Sequence, residues 1–195
     1  MTVPGDLASW KLDRRKYYRT LQASFSAEQY AAWNKALAAP LEELGRSIPA
    51  GSFVAVYHAK AKEADLSPLF SFPLRFCFPK ILDRAGGIME FREVENLQTE
   101  EFALGAYGIY EPQHHHPTIK KEAIHTAFIP LLAFDLEGRR LGQGKGFYDR
   151  FLDGFSGQRI GVGFDWQGSP TPLPIEGHDE HLHALVTEHG IRRFS

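Results

Sequence analysis

The chain has 195 residues, 43% of them hydrophobic and 24% charged, the balance of an ordinary globular protein. Its 22 basic and 24 acidic side chains give a net charge of -2. That excludes the basic excess of a dedicated nucleic-acid binder, while local clusters can still hold a small anion. The length fits a single domain over residues 1–195 that buries its core without disulfide staples.

Residues 7–44 read as two helices. Leu12, Tyr17, Tyr18 and Leu21 fall roughly on one face of the first. Ser26, with Gln29 three residues on, has the form of a capping box opening the second. Pro40 is expected to break or kink that helix and Gly45 to stop it. Met1 to Lys11 lack the apolar core of a signal peptide, so a cytoplasmic or organelle-matrix protein is expected.

Beyond Gly51 the chain turns to short apolar runs divided by turn residues. Strands are predicted over 53–57, 76–78, 88–93, 127–133 and 160–164. Helical segments are predicted over 65–70, 147–152 and 180–188, and 113–122 reads as a polar surface loop. This alternation favours an α/β layered fold with a largely parallel sheet. Cys77 is the single cysteine and lies between aromatics, which reads as a small buried hydrophobe in a reducing compartment. The longest apolar run, 127–134, is too short to cross a bilayer and contains Pro130, so no membrane partner is expected.

The chemistry concentrates between Arg140 and Asp149. Gly142, Gly144 and Gly146 precede a helix expected to start near Phe147. Glycines there let backbone N–H groups approach a phosphate, and Arg140 and Lys145 add positive charge. Asp149 has the chemistry of a magnesium ligand. Both common nucleotide templates fail: a Walker loop needs glycine at Arg139 and Ser or Thr at Gly146, and the dinucleotide fingerprint needs glycine at Phe147. On this motif alone, a tight structural turn explains the glycines as well as an anion site does.

A wider set of landmarks separates those readings. The stretch Leu141-Gly142-Gln143-Gly144-Lys145-Gly146-Phe147-Tyr148-Asp149-Arg150, after Phe134-Asp135, resembles the signature of the 5-formyltetrahydrofolate cyclo-ligases. Lys11 and Arg15, the strand and turn from Tyr57 to Glu63, Gly108 to Pro112, Pro130 to Asp135, Gly161 to Phe164 and Leu173 to Asp179 follow in that family's order. Leu131, His125, Phe147 and Tyr110 depart from its pattern, which leaves substrate detail more open than the fold.

The resemblance implies three layers, a mostly parallel central sheet with helices on both faces, and an N-terminal helical pair. It implies ATP and magnesium as co-substrate and cofactor, a reduced folate as substrate, and a monomer or small homo-oligomer. By position it implies ATP contacts from Lys11, Arg15, Arg140, Gly142, Gln143, Gly144, Lys145, Gly146, Phe147 and Tyr148, with Lys145, Arg140 and Tyr148 catalytic. It places His58, Glu63, Tyr107 and the Gly144–Gly146 stretch at the folate, and Asp149 and Asp179 at the metal. The alternatives are a diverged member acting on another formylated or carboxylated amine, and a non-catalytic folate or nucleotide binder.

Without the resemblance, Lys11 and Arg15 read as a solvated helix face, Glu63 as a surface carboxylate and Asp149 as a partner of Arg150. His114, His115 and His116 read as a surface loop, since metal ligands usually share a face or come from separate segments. His178 and His181 sit near Asp179, and magnesium prefers that carboxylate to imidazole.

Overall fold

The computed structural model describes residues 6–174, 176 and 180–194. Two helices open it, α1 (Leu7–Ser24) and α2 (Ala27–Ser47). Asp6 caps α1 by accepting the Ala8 N–H at 3.1 Å. The expected capping box opens α2: Ser26 Oγ accepts the Gln29 N–H, and the Gln29 side chain accepts the Ser26 N–H.

Pro40 does not end α2, and neither does Gly45. Leu37, Leu41 and Leu44 lie on one buried face that continues across the proline. Burying each is worth about 1.5–3 kcal/mol, enough to outweigh an interior proline costing roughly 3 kcal/mol. Gly45 serves close approach instead, because a Cβ there would stand 2.6 Å from the Phe72 ring. In α1 the expected apolar face is corrected too: Leu12 and Tyr17 are exposed, while Tyr18 is buried and Lys11, Arg15 and Gln22 are partly buried beside it. The helix packs on a mixed stripe at i, i+4, i+7 and i+11 because polar side chains face the loop described below.

The strands follow as β1 (Phe53–Ala55), β2 (Arg75–Asp83), β3 (Ile88–Glu93), β4 (Phe102–Leu104), β5 (Tyr110–Pro112), β6 (Thr118–Ile119), β7 (Ile124–Pro130), β8 (Ala133–Phe134) and β9 (Arg140–Leu141). Then come α3 (Phe147–Leu152), β10 (Gln158–Val162), β11 (Ala184–Thr187) and β12 (Gly190–Arg193). The main sheet has the order β12-β11-β10-β7-β1-β2-β3-β6. Its five inner strands, β11 to β2, are parallel, and β12, β3 and β6 add antiparallel edges. β4–β5 and β8–β9 form separate hairpins.

Alternation along the inner strands builds two cores. Val54, Phe76, Phe78 and Phe128 point to the α2 side and meet Leu37, Leu41 and Leu44. Ala55, Cys77, Ala127 and Ile129 point the other way and meet Phe151 and Leu152 of α3. Cys77 is wholly buried, and burial pushes its thiol up, which fits the structural reading.

Two segments differ from expectation. Residues 180–188 hold no helix; Ala184–Thr187 is β11, paired parallel with β10. All four of its residues are buried between two layers, a demand a strand meets and a helix with one polar face does not. Part of the presumed loop 113–122 is β6, which covers the β3 edge.

The close approach at Gly45 yields a test. Alanine gains up to about 1 kcal/mol of helix propensity but drives a methyl into Phe72, an overpacking cost of about 1–3 kcal/mol. Gly45→Ala should therefore lower the thermal midpoint, and a midpoint equal to or above the parent's would refute the packing account.

Candidate active site

The site is organised around residues 140–149. Leu132, Ala133 and Leu141 of the β8–β9 region form a small core with Tyr18 of α1 and Leu173, which docks α1 against the glycine loop. Gly144 (φ +87°) and Gly146 (φ +74°) occupy the left-handed region, which glycine enters without strain. A Cβ at Gly144 would stand 2.9 Å from Arg15 Nε, so the loop and helix touch where a side chain has no room. Arg15 Nε donates to the Gly142 carbonyl at 3.1 Å, and Arg19 donates to the Gln143 carbonyl at 2.9 Å. The Arg140 side chain, 5% exposed, forms an ion pair with Asp149 across the loop.

The loop faces a cleft of about 530 Å³. After β1 the chain moves to β2 on one side of the sheet, then returns to β7, β10 and β11 on the other. The reversal opens a crevice at the carboxyl ends of β1 and β7, the usual ligand position in a doubly wound sheet. Tyr57 and His58 follow β1, Pro130 ends β7, and Ile81, Met89 and Tyr107 complete the apolar wall.

The polar groups set into that wall are perturbed. Desolvation holds the Glu63 carboxyl above the usual range, opposed by the Lys60 backbone N–H, which donates to it at 3.0 Å, and by the Lys60 charge. Desolvation, reinforced by Glu63, pushes the Tyr148 phenol up. Desolvation pushes His58 down, keeping neutral an imidazole stacked on Phe78 at 4.7 Å. Tyr107 has φ +56°, unusual for a non-glycine residue, and Lys145 Nζ stands 5.4 Å from its ring centre.

Of the residues singled out by sequence, His58, Glu63, Tyr107, Arg140 and every residue from Gly142 to Asp149 line this cleft. Arg15 stands behind the loop. Lys11 is further off, paired with Glu176 at 2.8 Å. Asp179 lies outside the described residues. Asp149 pairs with Arg140 rather than Arg150. Sequence reasoning missed Arg19, Lys60 and Glu111 in the lining. Glu111 had a signal, since it stands in the Gly108–Pro112 landmark; Arg19 had one as the next turn after Arg15.

A doubly wound sheet carrying a cationic glycine loop against an apolar cleft defines an α/β protein with a candidate anion site beside an apolar one. The chain belongs to the 5-formyltetrahydrofolate cyclo-ligase family, whose model matches residues 8–188. A 5-formyltetrahydrofolate cyclo-ligase of Mycolicibacterium smegmatis is 31% identical over 153 residues, covering 75% of this chain and 76% of that one. Its Escherichia coli K12 counterpart is 35% identical over 91 residues, 45% of this chain and 50% of that protein. The chain spans about half the length of most of the curated relatives it matches. The solution structure of Aquifex aeolicus 5,10-methenyltetrahydrofolate synthetase superposes with a TM-score of 0.75 at 29% identity, covering 94% of this chain and 92% of that one.

The partly buried, desolvated Glu63 carboxyl costs stability at neutral pH. Because its folded-state value is raised, the protein loses stability as pH rises through that value. Glu63→Gln should melt higher than the parent at pH 7–8, with the gap closing as pH falls toward the ordinary carboxylate range. A pH-independent gap, or a destabilised variant at pH 8, would count against this.

Proposed function

We propose that this chain converts 5-formyltetrahydrofolate to 5,10-methenyltetrahydrofolate, using ATP and releasing ADP and phosphate. The observation that carries the reading is the meeting of two unlike surfaces in one cleft: Lys145 of the cationic loop stands over the Tyr107 ring of the apolar wall. A phosphate donor on the first and a pterin on the second bring phosphoryl group and formyl oxygen together.

The chemistry needs that proximity. A formamide carbon is a weak electrophile and its oxygen a poor leaving group. Transfer of the γ-phosphoryl group from ATP to the formyl oxygen releases ADP and makes that oxygen a phosphate ester. The folate N10 lone pair then attacks the formyl carbon, phosphate departs with the oxygen, and the N10 proton is lost as the ring closes. Catalysis of this type is positioning and charge neutralisation. Lys145 and Arg140 offset charge on the transferring group, and Gly142 to Phe147 hold the phosphates with Arg15 behind them. Tyr148 brings a buried hydroxyl within electrostatic reach of Arg140 and Glu63, and Lys11 extends the cationic line. Glu63, Tyr107 and His58 border the pterin and formyl group.

Magnesium fits the donor set. This ion takes one or two carboxylates together with substrate phosphates, and Asp149 brings a carboxylate to the cleft lining beside Arg140. Asp149, with Asp179, would hold it; the ion supplies charge shielding to the phosphates. The single buried thiol fits a reducing compartment, and we place the protein in the cytoplasm.

The test is ring closure followed by the near-ultraviolet absorbance of the methenyl product, with protein, ATP, magnesium and 5-formyltetrahydrofolate mixed. Lys145→Ala should lose about 10²–10³ of kcat, far more than it costs in folate binding. ATP hydrolysis without methenyl product would move the reading to another formylated or carboxylated amine. Ligand binding with no turnover in the parent would make the chain a binder.

A further inference from the structure

The β4–β5 hairpin carries Tyr107, Ile109 and Glu111 to the cleft, and its base carries a second group of side chains. Glu101 immediately precedes β4, and His115 and His116 follow β5. Their ligand atoms converge: each of Glu101, His115 and His116 offers one atom within 4.8 Å of the others. His115 Nε2 lies 3.1 Å from Glu101 Oε2 and makes a hydrogen bond to it. His116 Nε2 lies 3.0 Å from the same oxygen but off the line a hydrogen bond requires, so this nitrogen makes none. The His116 side chain is only 10% exposed. A buried imidazole nitrogen beside a carboxylate it does not bond is costly unless something else engages it.

From these positions we infer a binding site for a zinc-class divalent transition ion, formed by Glu101, His115 and His116. Imidazole and carboxylate are the ligands such ions select. A tetrahedral ion with bonds of about 2.0–2.1 Å sets its ligand atoms roughly 3.3 Å apart. The observed 3.0 and 3.1 Å separations from Glu101 need only a few tenths of an ångström of opening, and the ligand atoms of His115 and His116 lie within 4.8 Å of each other. Adjacency of the two histidines does not prevent convergence here, because Glu101 comes from a separate segment. The two segments are also tied by backbone: the Gln113 N–H donates to the Glu101 carbonyl at 3.1 Å. Arg92, which donates to the His114 carbonyl at 2.7 Å, has its charge offset by Glu90 at 2.6 Å. Three protein ligands leave a fourth position for water. An ion there clasps the two ends of the hairpin whose tip reaches the cleft, joining metal occupancy to the order of Tyr107.

Calorimetric titration of the full chain with Zn²⁺ decides the matter, alongside Glu101→Gln and His116→Gln. The parent should bind one more equivalent than either variant, or bind that equivalent at least tenfold more tightly. Excess Mg²⁺ should not displace it, since magnesium prefers an all-oxygen shell. In the parent alone, Zn²⁺ should slow amide exchange across residues 102–112. Should His116→Gln fail to fold, His115→Gln replaces it, since that side chain is 62% exposed. Equal stoichiometry and affinity in parent and variants, or no binding by the parent, would overturn the site. The outcome is independent of folate turnover.

Discussion

Asp135, 2% exposed, accepts hydrogen bonds from the backbone N–H groups of Glu137 and Arg139 at 2.9 Å each and of Leu173 at 2.8 Å. The Arg139 guanidinium adds charge at 3.6 Å. Removing a carboxylate from water costs several kcal/mol. Three bonds to the ionised group, each about 1.5–3 kcal/mol, are of the size needed to offset it. What they secure is geometry, because the turn between β8 and β9 is thereby locked to the segment around Leu173. Gly138, within that turn at φ +79°, lies against the Phe194 ring, and its carbonyl accepts the Leu182 N–H at 2.9 Å. One buried carboxylate thus joins the hairpin that launches the glycine loop to the last strands of the sheet.

The loop inherits that fixity from one side and meets α1 on the other. Arg15 and Arg19 hold its carbonyls, and Lys11, one turn before Arg15, pairs with Glu176 near the Leu173 segment. Helix α1 is therefore oriented by charge as much as by apolar burial, which explains why Leu12 and Tyr17 face water while Lys11 and Arg15 do not. Helix α1 and the 140–149 loop build the cationic wall, and β1, β2 and β7 supply the apolar one. The switch in strand order makes the two walls adjacent.

Local rules read much of this correctly. The Ser26 capping box, β3 over Ile88–Glu93 and α3 over Phe147–Leu152 stand where pattern alone put them. The failures come where tertiary context outweighs local preference. Pro40 sits within a helix because three leucines bury across it, and Ala184–Thr187 is a strand because its neighbours β10 and β12 complete its hydrogen bonds. The cleft was legible where a family landmark marked it, as at Glu63 and Gly142 to Asp149. Glu111 fell inside a landmark without a chemical pattern to give it a role. The convergence of Glu101 with two histidines was not legible, since a hairpin separates them in sequence and only its closure brings them together.

Buried polar atoms with no hydrogen-bond partner in the protein show where stability yields to the site. Among the described residues these atoms include His58 Nε2, Arg140 Nε and Tyr148 Oη, all on residues that line the cleft. Each such group costs about 1–3 kcal/mol, a large sum beside the 5–15 kcal/mol of a typical domain. Tyr107 adds backbone strain at φ +56° in the same space. A fold optimised only for stability would have replaced these groups by apolar ones of similar shape. Two of them, on Arg140 and Tyr148, belong to the glycine-loop segment itself, and the third, on His58, lies on the wall that follows β1. Unpartnered polar atoms and backbone strain thus meet in one cleft, which marks it as a part of the fold shaped by something other than stability.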